Sequence, residues 1–229
     1  IRPILSPADP ADALASYYAL WHDPRRTKLT LHFDRRRQVD GFVAVCQTGA
    51  DLFRPLVTLR APAREIVHDL LAEALAPNRP YHVIAPVLLA SAVRDLFELS
   101  QSRLNRIYTL DPARFEPVIN VLVRQTTSAD GALRFQIESK DGEVVALSGV
   151  NWRSPAFAEV FVYVHPQGRE RGWGKSVVSA CTTALLEDRV RPLYIVDQHN
   201  EASIAIAEGL GYVDTGVREF SGEGQLKES

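Results

Sequence analysis

Apolar residues along this chain recur at two periods, every second position in some stretches and every third or fourth in others, and the switches between them predict the same order of strands and helices twice. In the second half, alternating and branched residues mark strands over 117–125, 132–139, 143–151 and 158–164. A helix follows over 171–187, where Val177, Val178, Cys181, Ala184 and Leu185 recur at helical spacing, so one face packs on a sheet. Next come a strand over 192–197, a helix over 200–210 with Asn200 as its N-cap and Gly211 as its stop, and a last strand over 212–220. The first half runs helix 10–22, strands 28–34, 41–47 and 52–60, helix 63–76, strand 80–86, helix 88–98 and strand 102–110.

The halves read as copies. Asp40-Gly41 opens a strand as Asp141-Gly142 does, and Arg79-Pro80 parallels Arg191-Pro192. The extra residues of the second copy fall across its Gly-rich turn. The predicted class is therefore α/β (α+β), a mixed sheet flanked by helices, in two domains, 1–112 and 113–229, with the boundary near Asp111-Pro112.

That turn, Arg169-Glu170-Arg171-Gly172-Trp173-Gly174-Lys175, joins strand 158–164 to helix 171–187. Two glycines let the backbone pass close to a ligand, and the first helical turn presents N–H groups with no partner inside the helix. A phosphate or pyrophosphate suits such a seat, and the helix dipole adds about 0.3–2 kcal/mol. Three or four hydrogen bonds to a charged group approach micromolar binding, about 8 kcal/mol. Spacing then separates the ligands. Gly174-Lys175-Ser176 ends like a Walker A loop, and Leu193 to Asp197 imitates the Walker B strand. Walker A, however, needs its first glycine where Arg169 stands, and Gly168 is one residue early. A dinucleotide fingerprint needs a third glycine where Val177 stands.

The segment Val162-Tyr163-Val164-His165-Pro166, followed by Arg169-x-x-Gly172-x-Gly174, resembles the acetyl-CoA loop of the GNAT superfamily of N-acyltransferases. After it come the strand from Leu193, Asn200-x-x-Ser203 opening a helix, and the Gly211-Tyr212 pair before the final strand, an order the superfamily shares. The resemblance covers the second half and implies a GNAT fold. The first half reads as a degenerate copy without coenzyme, because its corresponding turn, Arg60-Ala61-Pro62-Ala63-Arg64, lacks glycine and Pro62 lacks a donor. Paired domains of this kind are known among GNAT relatives.

The resemblance also implies site residues. Main-chain N–H groups of Val162, Tyr163 and Val164 would hold the thioester carbonyl and pantetheine arm. Arg169, Glu170, Arg171, Gly172, Trp173, Gly174 and Lys175 would hold the pyrophosphate. Asn200 and Ser203 would contact the pantetheine or simply cap their helix. An alkylamine is almost wholly protonated at neutral pH and needs a base. Glu159 lies on the strand entering the turn, on one face with Phe161 and Tyr163, and Phe157-Ala158-Glu159-Val160-Phe161 resembles the strand carrying the general-base Glu of histone-acetylating relatives, with one residue fewer before the Arg-x-x-Gly. Many relatives carry a Tyr acid where this chain has Ala207, so Tyr163 or water would protonate the leaving thiolate.

Composition narrows the rest. With 229 residues, 46% apolar and 24% charged, the chain has material for one large or two small cores. No run approaches the about 20 apolar residues of a membrane helix, and no basic-then-apolar segment opens the chain, so no membrane and a cytoplasmic location are expected. A formal net charge of -2 gives no basic footprint for nucleic acid. Cys46 and Cys181 read as buried free thiols. His165 and His199 lack the spacing of a metal set, so no metal is expected. Asp34-Arg35-Arg36-Arg37 reads as a solvated hairpin tip. The expectation is an acetyl-CoA-dependent N-acyltransferase acting on a primary amine of a small molecule or peptide. The alternative is a non-catalytic acyl-CoA-binding module, and oligomeric state stays open.

Overall fold

The computed structural model describes residues 1–49, 51–128 and 131–227. They fall into two compact units, Ile1–Asn105 with the stretch from Val217, and Arg106–Gly216. The first unit holds α1 (Ala13–Leu20), β1 (Thr27–Phe33), β2 (Val39–Cys46), β3 (Leu56–Arg60), α2 (Arg64–Ala74), β4 (Pro80–Pro86), α3 (Ala90–Leu96) and the start of β5 (Phe97–Leu110). The second holds the end of β5, then β6 (Arg124–Thr127), β7 (Leu133–Glu138), β8 (Val144–Arg153), β9 (Phe157–Val164), α4 (Trp173–Glu187), β10 (Arg191–Asp197), α5 (Glu201–Gly209) and the start of β11 (Tyr212–Leu226).

The strands of each unit repeat one pattern. In the first unit β1, β2 and β3 are antiparallel neighbours, and β3 runs parallel to β4. In the second, β6 to β9 form an antiparallel meander, and β9 runs parallel to β10. A parallel pair needs a crossover, which α2 and α4 supply. Along α4 the residues Val177, Val178, Cys181 and Leu185 are buried against the second core, as their spacing predicts, each contributing about 1.5–3 kcal/mol. The helix ends where Arg189 takes a positive φ of 59°. There Arg189 N–H bonds to Leu186 O at 3.0 Å and Val190 N–H to Leu185 O at 2.9 Å, a Schellman closure that turns the chain into β10.

The first unit is not completed by the nearest stretch of chain. Residues 219–225 of β11 pair antiparallel with β4, and Phe220 and Leu226 sit in the first core. Gly224 passes so close to β5 that a Cβ there would lie 2.1 Å from Glu98 O, so only glycine fits. Conversely Tyr108 belongs to the second core, and Thr215 Oγ1 donates to Ile107 O at 2.7 Å. The boundary expected at Asp111-Pro112 thus differs from the compact units, because the first core takes its last strand from the far end of the chain. Deleting 217–229 is expected to unfold the first unit, at a cost above the about 3–5 kcal/mol of one buried Phe deletion. Hydrogen exchange tests this: β2, β3 and β4 should lose protection, and full retention would contradict it.

Local differences have local causes. The strand expected over 117–125 begins only at Arg124. Before it, Val118 N–H donates to Ser179 Oγ (2.8 Å), Asn120 Nδ2 donates to Ser176 Oγ (3.2 Å), and Asn120 Oδ1 accepts from Leu122 N–H (3.0 Å). Side-chain bonds to α4 replace a ladder there, while Ile119 and Val121 stay exposed. The helix expected over 88–98 spans only Ala90–Leu96, since Phe97 is buried as the first residue of β5. Helix α4 starts at Trp173 rather than 171, because Glu170 and Gly172 take positive φ of 61° and 71°, outside any right-handed helix. The hairpin tip is as expected: Asp34 Oδ1 accepts from Arg36 N–H and Gln38 N–H, both at 2.8 Å. Both cysteines are free and buried, and burial pushes the Cys46 thiol up to about 11 and the Cys181 thiol up to about 12.

Candidate active site

The parallel pair β9–β10 is in register only from Phe157 with Arg191 to Val160 with Tyr194. Beyond that point β9 continues to Val164 and β10 to Asp197, with no register between them. The two strands part, and the four residues 161–164 line one side of the gap.

Which main-chain groups enter the gap follows from the ladder on the other side. His165 N–H donates to Val145 O at 2.9 Å, which makes that pair a bonded one. Bonded and non-bonded pairs alternate in an antiparallel ladder. With Leu147 facing Tyr163 and Gly149 facing Phe161, residues 161 and 163 direct their main-chain groups to β8. Ser148 Oγ accordingly donates to Phe161 O at 2.8 Å. Val162 and Val164 therefore direct their N–H and C=O groups away from β8, as does Ala156, whose carbonyl accepts from Arg191 N–H of β10 at 3.2 Å. Of the three main-chain donors expected at this strand end, Val162 and Val164 face the gap and Tyr163 does not. The Tyr163 side chain is half exposed.

The turn after β9 ends at the mouth of the gap. His165 and Pro166 begin a short 3-10 turn, and the chain reverses through Glu170 and Gly172 into α4. The first bond of α4 is Ser176 N–H to Gly172 O at 3.0 Å, so the amides of Trp173, Gly174 and Lys175 emerge from the helix end. Gly172 contributes no side-chain cap, and the first turn holds no acidic residue. Gly174 is required by packing: a Cβ there would lie 2.8 Å from Ile206 Cδ1 and 3.0 Å from Val164 Cγ2. The start of α4 is thus pressed onto the end of β9 and onto α5.

The cations of the turn divide. Arg169 and Arg171 are exposed, with the Arg171 guanidinium 5.0 Å from the Trp173 ring centre. The Lys175 ammonium instead lies at the C-terminal turn of α5, 3.6 Å from where a Gly209 Cβ would sit, which suits the negative end of that helix. Its amide emerges at the N-terminus of α4 while its ammonium lies at the C-terminal end of α5. At the end of β10, Asn200 Oδ1 caps α5 by accepting from Ser203 N–H at 3.1 Å. Ser203 Oγ meets the buried Tyr194 hydroxyl at 2.8 Å.

Glu159 stands where the strands begin to part, opposite Leu193 on β10 and opposite Trp152 on β8. Burial pushes its carboxyl above the ordinary carboxylate range, and the hydrogen bond from Asn151 and the neighbouring Trp152 restrain the shift. Asn151 Nδ2 donates to Glu159 Oε1 at 2.9 Å. Asn151 reaches it because the β8–β9 register slips between Val150 and Trp152, a bulge that re-aims one side chain. These two partners and Tyr194 escaped the reading of the sequence. The one signal was a polar Asn interrupting an apolar strand beside a Trp.

A parallel strand pair that opens at its C-terminal end, a helix N-terminus entered through a glycine turn, and Glu159 where the strands begin to part lie together in the second unit. The sequence matches the Acetyltransferase (GNAT) family over residues 94–212, more than half of the chain, and the protein belongs to that family. Solved structures agree in fold. A GCN5-related N-acetyltransferase-like protein from Streptococcus suis is 15% identical with a TM-score of 0.58, covering 95% of this chain and 100% of its own. A GCN5-related N-acetyltransferase from Kribbella flavida is 14% identical, TM-score 0.63, with 92% and 95% covered. A tandem GNAT protein from the clavulanic acid biosynthesis pathway is 14% identical, TM-score 0.57, with 96% and 88% covered. The chain therefore has a tandem GNAT fold, its N-terminal half being GNAT-like as well. No curated protein matches the sequence significantly. Among the described residues no helix is long and apolar enough to cross a membrane.

Proposed function

We propose that the protein is an acetyl-CoA-dependent N-acyltransferase that moves an acetyl group to a primary amine of a small molecule or peptide, with the second GNAT domain as its coenzyme domain. The observation that carries the reading is the gap after Val160 and Tyr194, with two main-chain N–H groups facing it and a helix N-terminus at its mouth. The pyrophosphate would rest on the amides of Gly172 to Lys175 with Arg169 and Arg171 alongside and Glu170 setting the reversal. The pantetheine arm would run as a surrogate strand along Val162 and Val164, and Asn200 and Ser203 would border it.

Glu159 would accept the proton of the amine, directly or through water, as the nitrogen attacks the thioester carbon. The Val162 amide would donate to the thioester oxygen as charge grows there. The carbon–sulfur bond then breaks, and the thiolate takes a proton from water or from Tyr163, whose side chain lies about 13 Å along the strand from Glu159. A second reading, a domain that binds acyl-CoA without turning it over, is favoured by Ala207, which is fully buried at the position where many relatives hold a Tyr acid.

Release of free thiol from acetyl-CoA across a panel of primary amines tests the proposal. Amine-dependent release is expected for at least one class of acceptor. Tight acetyl-CoA binding with no release across the panel would support the binding module.

A further inference from the structure

The first unit carries a cleft of about 540 Å³ that the proposed acyl transfer does not use. Four cations line it: Arg25 and Arg26 from the turn before β1, Lys28 on β1, and Arg79 before β4. The one carboxylate on its walls is Glu73. Among the described residues none of the four cations is in an ion pair.

The four side chains are exposed, so salt screens their repulsion, yet they give the cleft an excess of positive charge over Glu73. The C-terminal carbonyls of α2 offset only about half a charge. The main chain of this edge is held in place, and the Arg26 guanidinium lies beside Gly49. Asp23 Oδ1 accepts from Arg25 N–H at 2.9 Å, Gln47 N–H holds Arg26 O at 2.8 Å, and Lys28 is in register with Val45. The Arg79 guanidinium lies 5.8 Å from the Tyr81 ring centre. The buried residues Pro55, Leu75 and Tyr81 form an apolar floor. An anion seated on it would be partly desolvated, which strengthens each charge-assisted hydrogen bond.

We propose that this cleft is a binding site for a small molecule carrying two or more negative charges, as phosphate or carboxylate groups. The site is independent of the coenzyme turn, since all its residues belong to the first unit.

Calorimetric titration of the full chain with inorganic pyrophosphate, and separately with citrate, tests the proposal and tells the two anion chemistries apart. No coenzyme is added, since its own phosphates belong to the proposed ligand class; binding at the α4 seat is told apart because K28Q/R79Q leaves that seat untouched. At least one anion should bind, more weakly as salt rises, and the exposed-residue variant K28Q/R79Q should weaken it by about tenfold or more. The variant R36Q/R37Q removes the same charge at the β1–β2 hairpin tip and should leave binding unchanged. Unshifted melting temperatures confirm that both variants fold. Absence of binding by either anion would overturn the proposal, as would no weakening in K28Q/R79Q or equal weakening in both variants.

Discussion

Replacing Glu159 with Gln is expected to lower the turnover of amine acetylation by about 10²–10⁴-fold while leaving acetyl-CoA affinity unchanged. Gln preserves the volume and still offers an oxygen to Asn151 Nδ2, now 2.9 Å from Oε1, but it cannot take a proton. The pH profile separates this from a structural loss. Burial raises the Glu159 pKa, so in the wild type the rate should rise with pH as the carboxyl ionises, and in the variant that rise should vanish. Stability has the opposite sign. A carboxyl whose folded pKa is raised favours the folded state while protonated, a contribution present below its unfolded pKa and lost as pH rises through the folded one. The variant should therefore be at least as stable as the wild type at neutral and alkaline pH. A folded variant with wild-type turnover, or one that keeps the wild-type rise of rate with pH, would remove Glu159 from the mechanism.

Replacing Val162 with Pro should cost about 10²–10³ in turnover, the effect of losing one donor to a developing oxyanion, whereas Val162→Ala should cost little. The contrast rests on ladder parity. The Val162 N–H faces the gap, so its loss breaks no bond to β8, and proline is tolerated where a strand N–H has no ladder partner. Tyr163→Pro, by contrast, removes a bond to β8 and should destabilise the domain. Equal kinetics for the proline and alanine variants at 162 would show that this amide does not touch the reacting carbonyl.

How much of this was legible depends on what each feature requires of residue type. The glycine spacing at 172 and 174 could be read because a positive φ at 172 favours glycine and a Cβ at 174 would crowd Ile206 and Val164. The buried face of α4 could be read because helical period and burial coincide along Val177, Val178, Cys181 and Leu185. The parting of β9 and β10 could not, because it lies in what the strands fail to pair with, and their apolar residues continue unchanged. The bulge that brings Asn151 to Glu159 is hidden for the same reason. The stretch 117–123 imitates a strand with exposed Ile119 and Val121, while hydrogen bonds donated by Val118 N–H and Asn120 Nδ2 to Ser179 and Ser176 on α4 decide its path. Chain order also conceals that Phe220 completes the first core. Lys175 shows the limit of motif reading: its position suits an anion, and its ammonium reaches the end of α5 instead.

The seat itself is tested most directly by following backbone amide resonances of the full chain during titration with acetyl-CoA. Saturable shifts are expected at about micromolar ligand, concentrated on the amides of Val162, Val164 and Gly172 to Lys175, with little change at the start of α2, where Pro62 stands in place of a glycine turn. No shift at these amides at millimolar acetyl-CoA, or shifts centred on α2 instead, would contradict it.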